Sequence, residues 1–306
     1  MPMLRIFGGS QGLWEEVDSR ISRKSKDHAR DEGDEMPIRV GVAGATGWTG
    51  SLLTKTILSS KEFELTGAIA RKHAGEDIGI RLGIGKVGVP IAVDLKAALE
   101  RTIDVLVDYT SASSVKERTL EAIHRGLRVV IGTSGLTVDD YAEIDEAARS
   151  SGVSVIAAGN FSITAALAKH FSLFAAQHIS SWEIIDYASA NKIDAPSGTT
   201  RELAEEMAAI ATNHIEVPID QTHGSPEARG ALIGRTPVHS VRLPGYVIAF
   251  DTIFGLPEER LTIRHDAGSG ALPYVAGTLL AVRKVMTTLG LIRGLDRLLF
   301  QQGHEL

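Results

Sequence analysis

Lys192-Ile193-Asp194-Ala195-Pro196-Ser197-Gly198-Thr199 combines an ammonium group with a proline-stiffened turn ending in Ser-Gly-Thr. A helical pattern follows from Thr199 to Met207, with Glu202 three residues after Thr199 as in a capping box. The first turn of a helix leaves backbone N–H groups free, and its positive end suits a carboxylate or phosphate. Lys192 adds a full charge and a proton beside those donors. Taken alone, the segment reads better as a solvated lysine ahead of an ordinary capped helix. A nucleotide motif upstream changes that balance.

Ile38-Arg39-Val40-Gly41-Val42-Ala43 reads as a buried strand that runs into Gly44-x-x-Gly47-x-x-Gly50. Ser51 to Leu58 then reads as a helix. Glycines between a strand and a helix let backbone approach a pyrophosphate, which rests on the helix N-terminus. The next strand, Glu64–Ala70, ends without the carboxylate that would bind the ribose 2′-hydroxyl of NAD, and Arg71 and Lys72 follow. Arg71 suits a 2′-phosphate, so NADPH is the expected cofactor, with NADH the second choice.

Composition narrows the function classes. The 306 residues suggest more than one domain, and the absence of cysteine removes disulfides and thiolate chemistry and suits a reducing, cytoplasmic setting. A net charge of −6 argues against a nucleic-acid partner, and no apolar run reaches membrane-spanning length. The scattered histidines predict no metal site. Residues 1–35 are too polar for a core and read as an extension, with a helical stretch around Leu13 to Ile21.

Further strands are expected at Val89–Val93, Ile103–Thr110, Leu127–Thr133 and Val153–Gly159, with helices at Ser113–His124 and Val138–Arg149. Apolar strands alternating with helices predict an α/β fold, a Rossmann-like doubly wound parallel sheet over 36–160. The strand ends at Tyr109-Thr110, Gly132-Thr133-Ser134 and Ala158-Gly159-Asn160-Phe161 fall where such sheets bind ligands. Beyond a helix at Ile163–His178, strands at Ser181–Ser189, Val238–Leu243, Tyr246–Phe254 and Arg260–His265 predict a smaller α+β domain with an open mixed sheet over 161–270. Glu216–Arg235 reads as an irregular loop. Within 271–306, a helix at Pro273–Leu289 is expected to return to the first domain.

On Val42–Gly47, Asp104–Thr110, Val130–Gly135, Asn160-Phe161-Ser162 and above all Lys192–Thr199, residues 37–290 resemble the dihydrodipicolinate reductase family. The resemblance implies an NAD(P)H-dependent reductase of lysine biosynthesis that acts on a small carboxylate substrate and forms a homotetramer through its open sheet. It implies that Gly44, Ala45, Thr46, Gly47, Trp48, Thr49, Arg71, Gly132, Thr133, Ser134, Ala158, Gly159, Asn160 and Phe161 hold the cofactor. Lys192 would supply the proton, and Ser189, Ser197, Gly198 and Thr199 would face the substrate.

Two departures stand out. Where the family has a histidine pair, this chain has Ala188 and Ser189, and where it has an arginine for a second carboxylate, this chain has Gly270. An altered imine or enamine substrate, with one carboxylate and a less polar remainder, would fit those losses. Tyr187, Ser189 and His265 are the candidates to replace the missing histidine. The competing readings are the ordinary lysine-pathway reductase, a different amino-acid oxidoreductase, and a non-catalytic NADPH sensor.

Overall fold

The computed structural model describes residues 36–300, so the reading of residues 1–35 as an extension lies outside the described residues. Strands β1 (Ile38–Ala43), β2 (Phe63–Ile69), β3 (Ile91–Ala92), β4 (Val105–Asp108), β5 (Arg128–Ile131), β6 (Ser154–Ala157) and β12 (Gly290–Arg293) form one parallel sheet. Its order is β12-β6-β5-β4-β1-β2-β3. The alternation of strand side chains serves two cores. Val105, Val107, Val130 and Ile156 pack with helices α1 (Trp48–Leu58) and α8 (Leu272–Lys284). The short helices α2 (Ile78–Arg81) and α3 (Leu95–Ala98) precede and follow β3, and Leu106, Val129, Ile131 and Val155 pack with α4 (Ala112–His124) and α5 (Val138–Ser150) on the other face. Burial on both faces is why these strands are apolar throughout. The chain winds outward from β1 in both directions, which opens a crevice at the carboxyl ends of β1 and β4.

The second sheet has the order β11-β10-β7-β9-β8, built from β7 (Trp182–Ala188), β8 (Ala231–Ile233), β9 (Thr236–Arg242), β10 (Ile248–Leu256) and β11 (Glu259–Ala267). Its β7–β9 pair is parallel and the other pairs are antiparallel. Along β7, Trp182, Ile184, Asp186 and Ala188 are buried and alternate with half-buried residues. The buried set meets α6 (Ile163–Ala176) and α7 (Gly198–Ile210), where Leu203, Met207, Phe250 and Phe254 complete a third core. The opposite face carries Ile185, Tyr187 and Ile253.

Several elements differ from expectation. The cap of α7 is Ser197, whose side chain accepts from the Thr200 amide, so Thr199 and Glu202 form no capping box. The proline turn sets that helix start one position early, and Thr199 falls inside the first turn. The expected loop at 216–235 contributes the edge strand β8. The helix expected to run to Leu289 ends at Lys284, and the chain turns at Gly290, with φ +73°, into β12. The return to the first sheet is therefore made by a strand as well as a helix.

Candidate active site

The glycine loop is shaped by contacts that a side chain would break. A Cβ at Gly44 would lie 2.1 Å from the Tyr109 carbonyl oxygen, and one at Gly50 would lie 2.1 Å from the Gly44 carbonyl. Gly47 starts α1 without any side-chain cap, so the helix N-terminus stays open to an anion. A groove of about 470 Å³ runs from Gly44, Thr46 and Gly47 to Arg71, Lys72 and Arg81. Arg118, also in this groove, is committed to the buried Asp108 at 2.6 Å. Among the described residues, Arg71, Lys72 and Arg81 have no carboxylate partner. Ala45 is buried and can offer only its backbone.

A hollow of about 380 Å³ continues past Trp48, Thr49, Tyr109 and Gly132-Thr133-Ser134. Gly132 is pressed by the Tyr109 ring, 2.2 Å from where a Cβ would stand. Tyr109 is fixed by a 2.6 Å hydrogen bond between its hydroxyl and that of Thr278. The Thr133 hydroxyl donates to Asp108 at 2.8 Å and so braces the ends of β4 and β5. Asn160 Oδ1 accepts from the Ser162 amide at 2.8 Å, which turns the chain into α6, and Phe161 is buried. Trp48, 62% exposed, meets Tyr274 edge-on.

The second half of the site grows from β7. Asp186 is fully buried and accepts from the Ser197 amide at 3.0 Å, the Ser197 hydroxyl at 2.6 Å and the Thr200 hydroxyl at 2.9 Å. Arg242 at the end of β9 donates to Asp186 at 2.7 Å and to the Asp194 carbonyl at 2.6 Å. Burial pushes the Asp186 carboxyl up, but the Ser197 and Arg242 hydrogen bonds outweigh it and hold the pKa below the usual range. Ser197 is thereby committed to the scaffold. The Gly198 and Thr199 amides, in the first turn of α7, have no partner among the described residues. Ser189 donates to Asn191 at 2.8 Å. Lys192 Nζ meets Asp194 at 2.7 Å, and that hydrogen bond lowers the Asp194 pKa.

A cavity of about 490 Å³ brings Ser134 and Gly159 from the first sheet to Gly198 and Arg201 of α7. A neighbouring one joins Ala158, Gly159 and Asn160 to Thr199. Lys192 lines neither, being held on its own loop by Asp194. Of the candidates for the lost histidine, Tyr187 points to the face opposite Ala188, where its hydroxyl donates to Asp251 at 3.0 Å. His265 is buried beside Thr164 at 3.2 Å, and burial keeps its pKa below the usual value. Gly270 has only the Leu272 amide, 4.0 Å from where a Cβ would stand.

Two family models, described as dihydrodipicolinate reductase N-terminus and C-terminus, match residues 38–161 and 160–299. The chain belongs to the dihydrodipicolinate reductase family. It is 38% identical to the 4-hydroxy-tetrahydrodipicolinate reductase of Synechococcus elongatus, covering 86% of this chain and 99% of that protein. Identity to the Moorella thermoacetica enzyme of the same name is also 38%, over 86% and 98% of the two chains. The dipicolinate-bound dihydrodipicolinate reductase structure of a Paenisporosarcina species superposes with a TM-score of 0.75 at 29% identity, covering 86% and 99%. This member of the dihydrodipicolinate reductase family is an NAD(P)H-dependent oxidoreductase with a pyridine-nucleotide fold. No helix among the described residues is long and apolar enough to cross a membrane.

Sequence reasoning missed Asp186 and Arg242 as the clamp on the Ser-Gly-Thr turn. It also missed the cluster of Lys169 with Glu202 at 2.8 Å and Glu206 at 2.7 Å. Arg242 lies within an expected strand, Val238–Leu243, and that was its only signal. Lys169 carried none, because its partners lie on another helix.

Proposed function

We propose that this reductase acts on a cyclic imine or enamine bearing a carboxylate, with Lys192 as the proton donor. The observation that carries this reading is the shared cavity, which sets Ser134 and Gly159 at the ends of β5 and β6 against Gly198 of α7. The uncapped α1 terminus and the side-chain-intolerant Gly44 fit a dinucleotide pyrophosphate. Arg71, with Lys72 and Arg81, would hold a 2′-phosphate, so the preferred cofactor is NADPH. When bound, NADPH supplies hydride.

The Gly198 and Thr199 amides would take the substrate carboxylate, as donors on a positive helix end. Lys192 would leave Asp194 to protonate the substrate as hydride arrives. Ser189 sits on the same loop, three residues from Lys192, whose amide donates to the Ser189 carbonyl. The first sheet with its nucleotide groove and the mixed sheet with its carboxylate turn would be separate domains, 36–160 and 161–270. The open face of the mixed sheet, with Ile185, Tyr187 and Ile253, suits assembly into a homotetramer. Ala188 and Gly270 support an altered hold on the substrate, since neither can hydrogen-bond through a side chain.

Steady-state turnover with NADPH and 4-hydroxy-tetrahydrodipicolinate, beside other cyclic imine carboxylates, tests the reading. Lys192→Met should lower kcat by about 10²–10⁴-fold, the usual worth of a general acid, and leave NADPH affinity unchanged. A variant as fast as the parent would remove Lys192 from the chemistry. Equal affinity for NADPH and NADH would remove the role of Arg71. A normal rate on the relatives' own substrate would show that the altered hold costs nothing.

A further inference from the structure

The charges around the cavity at Gly198 balance. Arg201, Arg293 and Arg297 face Glu202, Glu205 and Glu206, and the one charge of Lys169 is shared among Glu202, Glu206 and Asp296. Arg293 is also held over the Tyr141 ring, 4.0 Å from its centroid. Lys192 differs from all of these. Its one ionic partner among the described residues is Asp194, two residues along the same loop, and the pair lines neither cavity.

The backbone on both sides of that pair is anchored. The Lys192 amide donates to the Ser189 carbonyl at 3.0 Å, and Arg242 donates to the Asp194 carbonyl at 2.6 Å. Arg242 also donates to Asp186, which accepts from the Ser197 amide, so three hydrogen bonds tie Asp194 to the cap of α7. None of these bonds uses the Lys192 or Asp194 side chain. Those side chains meet at 2.7 Å with 26% and 46% of their surfaces exposed. An ion pair so open to water is worth about fivefold in occupancy at most. It can hold an ammonium on a flexible four-carbon stem and still release it. Moving that ammonium from one carboxylate to another leaves it paired, so a bound anion can draw it away.

We propose that Asp194 competes with the substrate for Lys192. It is a positioning residue, which holds the proton donor on its loop until a carboxylate at the Gly198 and Thr199 amides draws the ammonium across. The inference rests on the reductase reading above, in which Lys192 is that donor. Each binding event then breaks one ion pair to make another. The competition lowers substrate affinity by the hold of Asp194 on the lysine, and leaves the rate at saturation untouched, because the bound anion has by then displaced Asp194.

A double-variant cycle on ligand affinity isolates the competition. The probe is pyridine-2-carboxylate, an unreactive ring with one carboxylate. Its dissociation constant is measured with NADPH present, on the full chain, on Asp194→Asn, on Lys192→Met and on the two changes combined. Asparagine keeps the backbone carbonyl that Arg242 ties down, so the turn is preserved. Asp194→Asn should tighten the probe about two- to fivefold, the hold of an exposed ion pair. In the Lys192→Met background the same change should move it by less than about twofold. On a cyclic imine carboxylate, Asp194→Asn should lower KM by the same factor as the probe and leave kcat as it was. Unchanged or weaker probe binding in Asp194→Asn, the result of a merely structural aspartate, overturns the inference. Tightening that is as large without Lys192 also overturns it, since Asp194 would then act on the anion by repulsion alone. Both results leave the reductase reading standing. A parent that oxidises NADPH with no cyclic imine carboxylate overturns that reading, and the inference with it.

Discussion

Asp186 organises the Ser-Gly-Thr turn and its flanks without lining the described cavities. One buried carboxylate accepts from Ser197 twice, from Thr200 and from Arg242, and Arg242 in turn ties down the Asp194 carbonyl. The α7 cap, the turn before it and the loop that carries Lys192 thus share one anchor. Asp186→Asn keeps the shape and removes the charge, which strands Arg242. Breaking a buried pair from one side costs about 3–5 kcal/mol, and denaturant unfolding at neutral pH should show a loss of that order. The pH dependence has a definite sign. The folded-state pKa of Asp186 is depressed, so its stabilisation is full above the unfolded value and is lost as pH falls through the folded one. Parent and variant should therefore converge in stability on acidification. An unchanged gap down to the acid limb would show that the charge is not what anchors the turn.

At the scale of elements, the glycine loop gives the sharpest test, because space and backbone conformation can be separated. Gly44 has φ +84° and its Cβ position is blocked by a backbone carbonyl, whereas Gly75 has φ +83° and nothing within 4 Å. Gly44→Ala should destabilise by about 2–4 kcal/mol and weaken NADPH binding, since β1 and the Tyr109 turn must part. Gly75→Ala should cost about 1 kcal/mol and leave NADPH affinity as it was. Equal effects on NADPH would deny the loop its role. The strand–glycine–helix unit was legible because each step is local: an apolar run, a turn that only glycine makes, an apolar stripe. The parallel strands were legible for the same reason, to within a residue or two at their ends. The α7 cap was misread because Ser197, Thr199 and Thr200 compete within one turn, and only the burial of Asp186 decides for Ser197. Strand β12 was hidden by the preceding helix, whose apolar pattern runs past its end at Lys284. Arg293 and Tyr141 lie far apart in sequence, and no local pattern pairs them.

At the scale of the whole molecule, a largely covered cation links the helices over the mixed sheet to the chain that follows β12. Lys169, 14% exposed, sits on α6, the helix that leaves the first sheet to cover the second. It reaches Glu202 and Glu206 on α7 and lies 3.6 Å from Asp296, which follows β12. Burial lowers its pKa, but Glu202, Asp296 and Glu206 more than offset this and keep the ammonium charged. The same burial raises the Glu206 pKa. Lys169→Met would leave three carboxylates crowded beside the cavity with no cation among them. A loss of about 2 kcal/mol or more is expected near neutral pH, short of a fully buried pair because Glu202 is 49% exposed. Glu206, already raised by burial, would then hold its proton still more tightly in the folded state. Such a group makes stability fall as pH rises from the unfolded pKa to the folded one, so the variant should recover as pH drops. Thermal unfolding between about pH 5 and pH 8 should show the gap from the parent narrowing towards acid. A gap independent of pH would mean that Lys169 contributes packing alone, and that the helices and the chain after β12 are joined here by apolar contact without help from charge.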